Sequence, residues 1–148
     1  MPEESTTPDL VRRGYEALNR RDFDALLRLY APDAELDFNA WGVRTFEGHA
    51  AIRGFAEDWL GSYEEYRAEA DEILDLGDGV VFVAYRERAR LAGTEANLER
   101  RQAYVASLQP NGLVKRLTWY TDIDEARAAG ERLAQERGRA VSEDHCHA

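Results

Sequence analysis

The side chains with chemistry to offer fall into three groups. Aromatic residues recur at Phe38, Trp41, Phe55, Trp59, Tyr63, Tyr104 and Trp119. Arginines alternate at Arg86, Arg88 and Arg90, and single acids, histidines and phenols are scattered elsewhere. Core packing explains any one of the aromatics, since such rings dominate cores. As a set they suit the wall of an apolar pocket, because three tryptophans in 148 residues exceed what a small core needs. Tyr15, Tyr63 and Tyr104 each carry a hydroxyl able to donate to a developing enolate or carbonyl oxygen. Alternation sends the three arginines to one face. With Val81, Val83 and Tyr85 inward, that face is solvated or dimer-facing, and Glu87 points inward. On the other parity Arg88 lies inside and needs a carboxylate or an anionic ligand, because a buried unpaired charge is very costly.

Other candidates are weaker. Asp37 would make a general base, but alternation in its strand turns it outward. His49 is a candidate for proton transfer as a histidine, but its place beside a loop at a helix start suits a structural role. His145-Cys146-His147 could take up a soft metal, yet three adjacent residues on a polar tail make a poor site without further ligands. No metal site is expected. The chain has no P-loop, GxGxxG, GxSxG, HExxH or paired CxxC, so nucleotide, serine-hydrolase and zinc-protease chemistry have no support and no cofactor is expected.

These residues need elements to position them. Thr7-Pro8 reads as an N-cap and first helical residue, opening a helix with Leu10, Val11, Tyr15 and Leu18 on one face. Asn19-Arg20-Arg21-Asp22 breaks it, and Asp22 caps a second helix that runs to Ala31-Pro32-Asp33. Ala34 to Phe38 alternates as a half-buried strand with Leu36 and Phe38 inward. A loop from Asn39 to Gly48 precedes a third helix, His49 to Tyr63, whose stripe is Ile52, Phe55, Ala56, Trp59 and Tyr63. Four long antiparallel strands follow, over 66–76, 80–91, 98–108 and 113–121, with turns at Gly77-Asp78-Gly79, Ala92-Gly93-Thr94 and Pro110-Asn111-Gly112. Asp122 and Glu125 resemble a capping box for a last helix through about Leu133. One domain is expected over 7–134, with flexible tails at 1–6 and 135–148. A twisted sheet of this size cannot cover its own concave face, and the three helices are its lid. The expected object is an α+β cone with a cavity at its open end.

Composition limits the partners. A net charge of −10 argues against nucleic acid and against anionic lipid. No apolar run approaches a bilayer span, and the acidic start Met1-Pro2-Glu3-Glu4 is not a secretory signal. One cysteine excludes an internal disulfide framework, so a cytoplasmic protein is expected.

The element order carries recognisable words: Ala17-Leu18-Asn19…Asp22-Phe23-Asp24, Tyr30-Ala31-Pro32-Asp33-Ala34, Phe46-Glu47-Gly48-His49-Ala50-Ala51-Ile52 and Trp119-Tyr120-Thr121-Asp122. Over about residues 8–133 the chain resembles the SnoaL-like branch of the nuclear transport factor two-like superfamily. The resemblance implies a cone-shaped, strongly curved antiparallel sheet packed against three N-terminal helices, with a C-terminal helix. Relatives include polyketide cyclases, ketosteroid isomerases, limonene epoxide hydrolases, scytalone dehydratases and many non-enzymes. The isomerases' tyrosine falls on Gly14, one step from Tyr15. Their general base falls on Phe38, and their second acid near Tyr104. The epoxide hydrolases' arginine falls on Arg88, and their two acids fall on Arg90 and Trp119. SnoaL-type cyclases use an acid near that same last position. None of the three acid/base sets is present.

The resemblance places Arg88 inside, against the binary pattern, and that placement is adopted. Tyr104 then polarises a substrate oxygen and Arg88 holds negative charge. Phe38, Trp41, Phe55, Trp59, Tyr63 and Trp119 line the substrate site. The expected ligand is a small hydrophobic or aromatic molecule. The first reading is a cofactor-independent cyclase or isomerase of polyketide-like carbonyl compounds, with epoxide hydrolysis less favoured. The alternatives are a ligand-binding protein without catalysis and a dimerisation module. A homodimer through the open face of the sheet is expected in each.

Overall fold

The computed structural model describes residues 7–146, with side chains described through 139. Residues 1–6, expected as a tail, and His147 of the candidate metal motif lie outside the described residues. The elements are α1 (Thr7–Asn19), α2 (Phe23–Leu27), β1 (Tyr30–Asp37), a 3-10 turn (Asn39–Trp41), β2 (Thr45–Glu47), α3 (His49–Gly61), β3 (Tyr63–Gly77), β4 (Val80–Leu91), β5 (Asn97–Leu108), β6 (Val114–Tyr120) and α4 (Ile123–Cys146). The strands form one curved, unclosed sheet in the order β2-β1-β6-β5-β4-β3. The meander from β3 to β6 is antiparallel, as its turn residues require, while β1 lies parallel to β6.

The α+β cone is as expected, with local corrections. Asp22 does cap α2, accepting from the Ala25 N–H, but the helix ends at Leu27. The Ala31-Pro32-Asp33 segment, read as a helix stop, belongs to β1. It falls where the β1–β6 register shifts between Tyr30 and Glu35, an irregularity that tolerates a proline without a donor. Thr45 to Glu47, read as loop, pairs with β1 as a short edge strand. Tyr63 begins β3 and does not end α3. The helix expected to stop near Leu133 continues to Cys146, so residues 135–146 are helical.

Two apolar layers lie on opposite faces of the sheet. Inside the cone, Leu36, Ile52, Val81, Val83 and Leu117 form the main core with residues of α1 and α3. On the outer face α4 lays Ala126 and Ala134 on Val80, Phe82, Ala84, Ala103 and Val105, and Phe82 is completely buried. The outer face was expected to be open for pairing two copies, but this part of it is covered by the chain's own helix. The first helix is fixed at its end by Asn19. Its side-chain amide donates to the Ala68 carbonyl and its oxygen accepts from the Ala68 N–H, both at 2.8 Å, so Asn19 completes the edge strand β3 as a neighbouring backbone would.

Candidate functional site

The cone holds a cavity of about 580 Å³ that opens to solvent. Its walls come from every layer: α1 supplies Tyr15, the residue just past β1 is Phe38, α3 supplies Phe55 and Trp59, β4 Tyr85 and Glu87, β5 Tyr104 and β6 Trp119. Phe38 is the hub of the aromatic wall. It stacks on Trp119 at 4.1 Å between ring centroids and touches Trp41, Phe46 and Phe55. These rings are core and cavity wall at once.

Five tyrosines line this cavity, and three of them, Tyr15, Tyr85 and Tyr104, meet ring to ring. The Tyr15 ring lies 5.7 Å from Tyr85, and Tyr85 lies 5.8 Å from Tyr104. The Tyr15 hydroxyl donates to the Tyr104 oxygen at 3.1 Å, and the Trp119 indole N–H donates to the Tyr85 oxygen at 3.0 Å. Both accepting phenols keep their own protons, and no hydrogen bond among the described residues takes them. Tyr104 and Tyr85 can therefore donate to a ligand oxygen. Burial pushes the Tyr104 hydroxyl up to about 12 and raises Tyr15 and Tyr85 well above the ordinary phenol value. All three stay protonated donors at neutral pH.

Glu87 is the ionisable group in the wall. It is only 1% exposed. Its Oε2 accepts from the Tyr66 hydroxyl at 2.6 Å. Its Oε1 accepts from Arg100 Nε at 2.7 Å and from the Gln102 amide at 2.6 Å. The guanidinium of Arg100 also approaches the Trp59 ring, at 5.9 Å. Desolvation and the nearby Glu87 charge both raise the Tyr66 hydroxyl far above its usual range. The pair registry explains this cluster, since Glu87 stands opposite Arg100, and Tyr85 opposite Gln102, on the same inner face.

The expected site residues divide accordingly. Tyr104, Phe38, Trp41, Phe55, Trp59 and Trp119 all line the cavity. Tyr63 does not; at the start of β3 it packs against Trp59 and Tyr66 from outside the lining. The inward placement of Arg88 is corrected. Its side chain is 65% exposed and faces Glu99 across the strand pair. Since Glu87 points inward, its neighbours Arg86 and Arg88 point outward, as the binary pattern requires. Asp37 also lies outside the cavity lining. Burial alone would raise its carboxyl, but hydrogen bonds from Asn39 and the Arg116 guanidinium outweigh this and hold it below the ordinary range. His49 bonds the Tyr30 carbonyl at 3.0 Å and ties α3 to β1, a structural role. Sequence reasoning did not select Glu87, Tyr85, Tyr66 or Arg100 as functional residues. The signal for the first two was the Val81-Val83-Tyr85-Glu87 alternation. No cluster of metal-ligating side chains is found among the described residues. No helix among them is long and apolar enough to cross a membrane.

Comparison with known proteins fits this architecture. A model of the SnoaL-like domain matches residues 11–118. No curated protein matches the sequence. A ketosteroid isomerase-like protein of Catenulispora acidiphila, solved in complex with trimethylamine, superposes with a TM-score of 0.69 at 18% identity, covering 83% of this chain and 92% of that one. A Mycobacterium tuberculosis protein in complex with estradiol-17beta-hemisuccinate gives 0.66 at 14% identity, covering 80% and 97%. A nuclear transport factor two-like protein of unknown function from Burkholderia pseudomallei gives 0.65 at 23% identity, covering 78% and 90%. At these identities the likeness is one of fold.

Proposed function

Because the chain belongs to the SnoaL-like domain family, we propose that its cone binds a hydrophobic or aromatic small molecule bearing a carbonyl or hydroxyl oxygen. We further propose that it rearranges this molecule by proton transfer without a cofactor, as a cyclase or isomerase of polyketide-like carbonyl compounds. One observation carries the reading. A single cavity of about 580 Å³ holds flat aromatic walls, phenol protons with no protein acceptor, and a buried carboxylate. Its volume is that of ordinary small-molecule sites. In this reading Tyr104, braced by Tyr15, donates to the ligand oxygen. Tyr85, braced by Trp119, is a second donor on the same wall. Glu87 is the group able to accept a proton, through the Oε2 lone pair that Tyr66 leaves unused. Negative charge developing on the ligand oxygen would be stabilised by donors fixed in advance, which cost no reorganisation when the reaction occurs.

A second reading, ligand binding without chemistry, rests on the saturation of Glu87. Three donors already hold it, which leaves few lone pairs for a ligand proton. The dimerisation reading has less support, because much of the apolar surface it needs lies under α4.

The test is a thermal-shift screen against aromatic polyketides, steroids, terpenoid epoxides and fatty acids. A ligand at a hundred times its dissociation constant stabilises by about 2.7 kcal/mol, which raises the melting point by several degrees. The expected result is a shift from ring compounds that weakens in Tyr104→Phe. Solvent deuterium uptake at the carbon beside the carbonyl of 2-tetralone then separates the readings. Exchange lost in Glu87→Gln supports chemistry. Binding with no exchange supports the non-catalytic reading. No shift from any class would sink both.

A further inference from the structure

The inward residues of β5 form a gradient along the strand. Arg100 and Gln102, bonded to Glu87, give way to Tyr104, then Ala106, then Leu108. On β4 the matching inward residues run from Glu87 through Tyr85 to Val81. The cavity follows this gradient from end to end. Glu87 and Tyr66 line one end, the phenols lie along it, and Leu108, Leu113 and Leu10 line the other. Eight residue steps separate the level of Arg100 from Leu108, about 27 Å at roughly 3.4 Å per residue. Leu10, Leu108 and Leu113 make that end an apolar slot.

The far end is lined mostly by apolar side chains, with the Tyr30 hydroxyl near Tyr104. Thr7 and Asn111 are the polar side chains at its rim. The Thr7 hydroxyl already donates to Asp75, and the Asn111 side-chain oxygen already accepts from the Leu113 N–H. The reward for filling this slot is mainly apolar transfer.

We propose that the site takes an elongated amphiphile, an oxygenated ring bearing an unbranched aliphatic tail. The ring lies against the phenols, the tail lies in the Leu10–Leu108–Leu113 slot, and tail length sets specificity. This rests on the ring-binding reading above. A compact polycyclic ligand would leave the slot empty. A head carrying negative charge would meet Glu87.

Titration calorimetry with para-cresol, para-butylphenol, para-hexylphenol, para-octylphenol and octan-1-ol tests it. Affinity is expected to rise about fourfold per methylene, the worth of one buried CH₂, and then to level once the tail passes the slot. Leu113→Trp should move that levelling to shorter tails, with Leu108→Trp as a second plug. If para-cresol binds and added methylenes change nothing, the amphiphile proposal falls while the ring-binding reading stands. If octan-1-ol binds as tightly as para-octylphenol, the ring reading falls, and the ring-headed amphiphile with it. If none of the probes binds, both are overturned.

Discussion

A carboxylate that is 1% exposed, as Glu87 is, must be held by hydrogen bonds and an opposite charge, or it neutralises itself. Tyr66, Gln102 and Arg100 supply both. Such a pair adds little stability over apolar side chains of the same volume, yet breaking it strands a charge. Arg100→Ala is therefore expected to cost about 3 kcal/mol, the low end of the range for buried pairs because Arg100 is itself partly exposed. The double variant Glu87→Leu with Arg100→Leu should cost clearly less than the two single changes added together. Urea unfolding of the three variants measures this, and strict additivity would mean that the pair is not coupled. The same residues show what could be read from sequence. From Val80 to Tyr85 every residue is buried, because the cavity takes one face of β4 and α4 takes the other. An apolar run buried on both sides hides its own parity. Beyond Tyr85 only the inner face stays covered, and the alternation of Arg86, Glu87, Arg88 and Ala89 becomes legible. That alternation puts Glu87 inside and Arg88 outside, and the placement implied by the epoxide hydrolases overrode it.

At the scale of elements, Asn19 does work that its sequence context does not suggest. It ends α1, where an Asn reads as a helix breaker. Its side chain instead satisfies both backbone groups of Ala68 on the edge strand β3. Asn19→Ala leaves an N–H and a C=O unpaired in a half-buried place, at about 1–3 kcal/mol. Asn19→Asp keeps the acceptor and loses the donor, so it should fall between. Chemical denaturation gives the order, and native-state hydrogen exchange should show faster opening at the Ala68 amide in both variants. An unchanged Ala68 amide would mean that α1 is held by packing alone. The element boundaries that went astray share one physical cause. Three-residue β2 is too short for a period, and Tyr63 suits the stripe of α3 as well as the start of β3. Past Ala134 the helix α4 has few apolar residues to reveal a period, so it reads as a polar tail. Long strands with tight turns left no such ambiguity.

Taken whole, the molecule is a phenol-lined cavity inside an acidic shell of net charge −10. The surrounding field disfavours anionic ligands, in keeping with a neutral amphiphile. Six of the seven tyrosines, Tyr15, Tyr30, Tyr66, Tyr85, Tyr104 and Tyr120, have their hydroxyls pushed up, in each case first by burial. In the unfolded chain they ionise near pH 10. In the folded protein the Tyr104 hydroxyl holds its proton to about pH 12, and burial raises the others as well. Between those values the folded state binds more protons than the unfolded one, so stability falls as pH rises. The contribution is fully present below pH 10 and is lost through the window above it, at about 1.4 kcal/mol per pH unit for each tyrosine that remains protonated only when folded. Several groups acting together make that slope steep. Alkaline unfolding should be cooperative, with phenolate absorbance and loss of circular dichroism rising at the same pH. Affinity for a phenol probe should stay flat up to that point, because the donors do not titrate before the fold is lost. If these tyrosines instead ionise reversibly near pH 10 with the fold intact, the cavity is open to water along its length. The donors would then compete with solvent for the ligand oxygen, and the desolvated site on which the proposed chemistry depends would not exist.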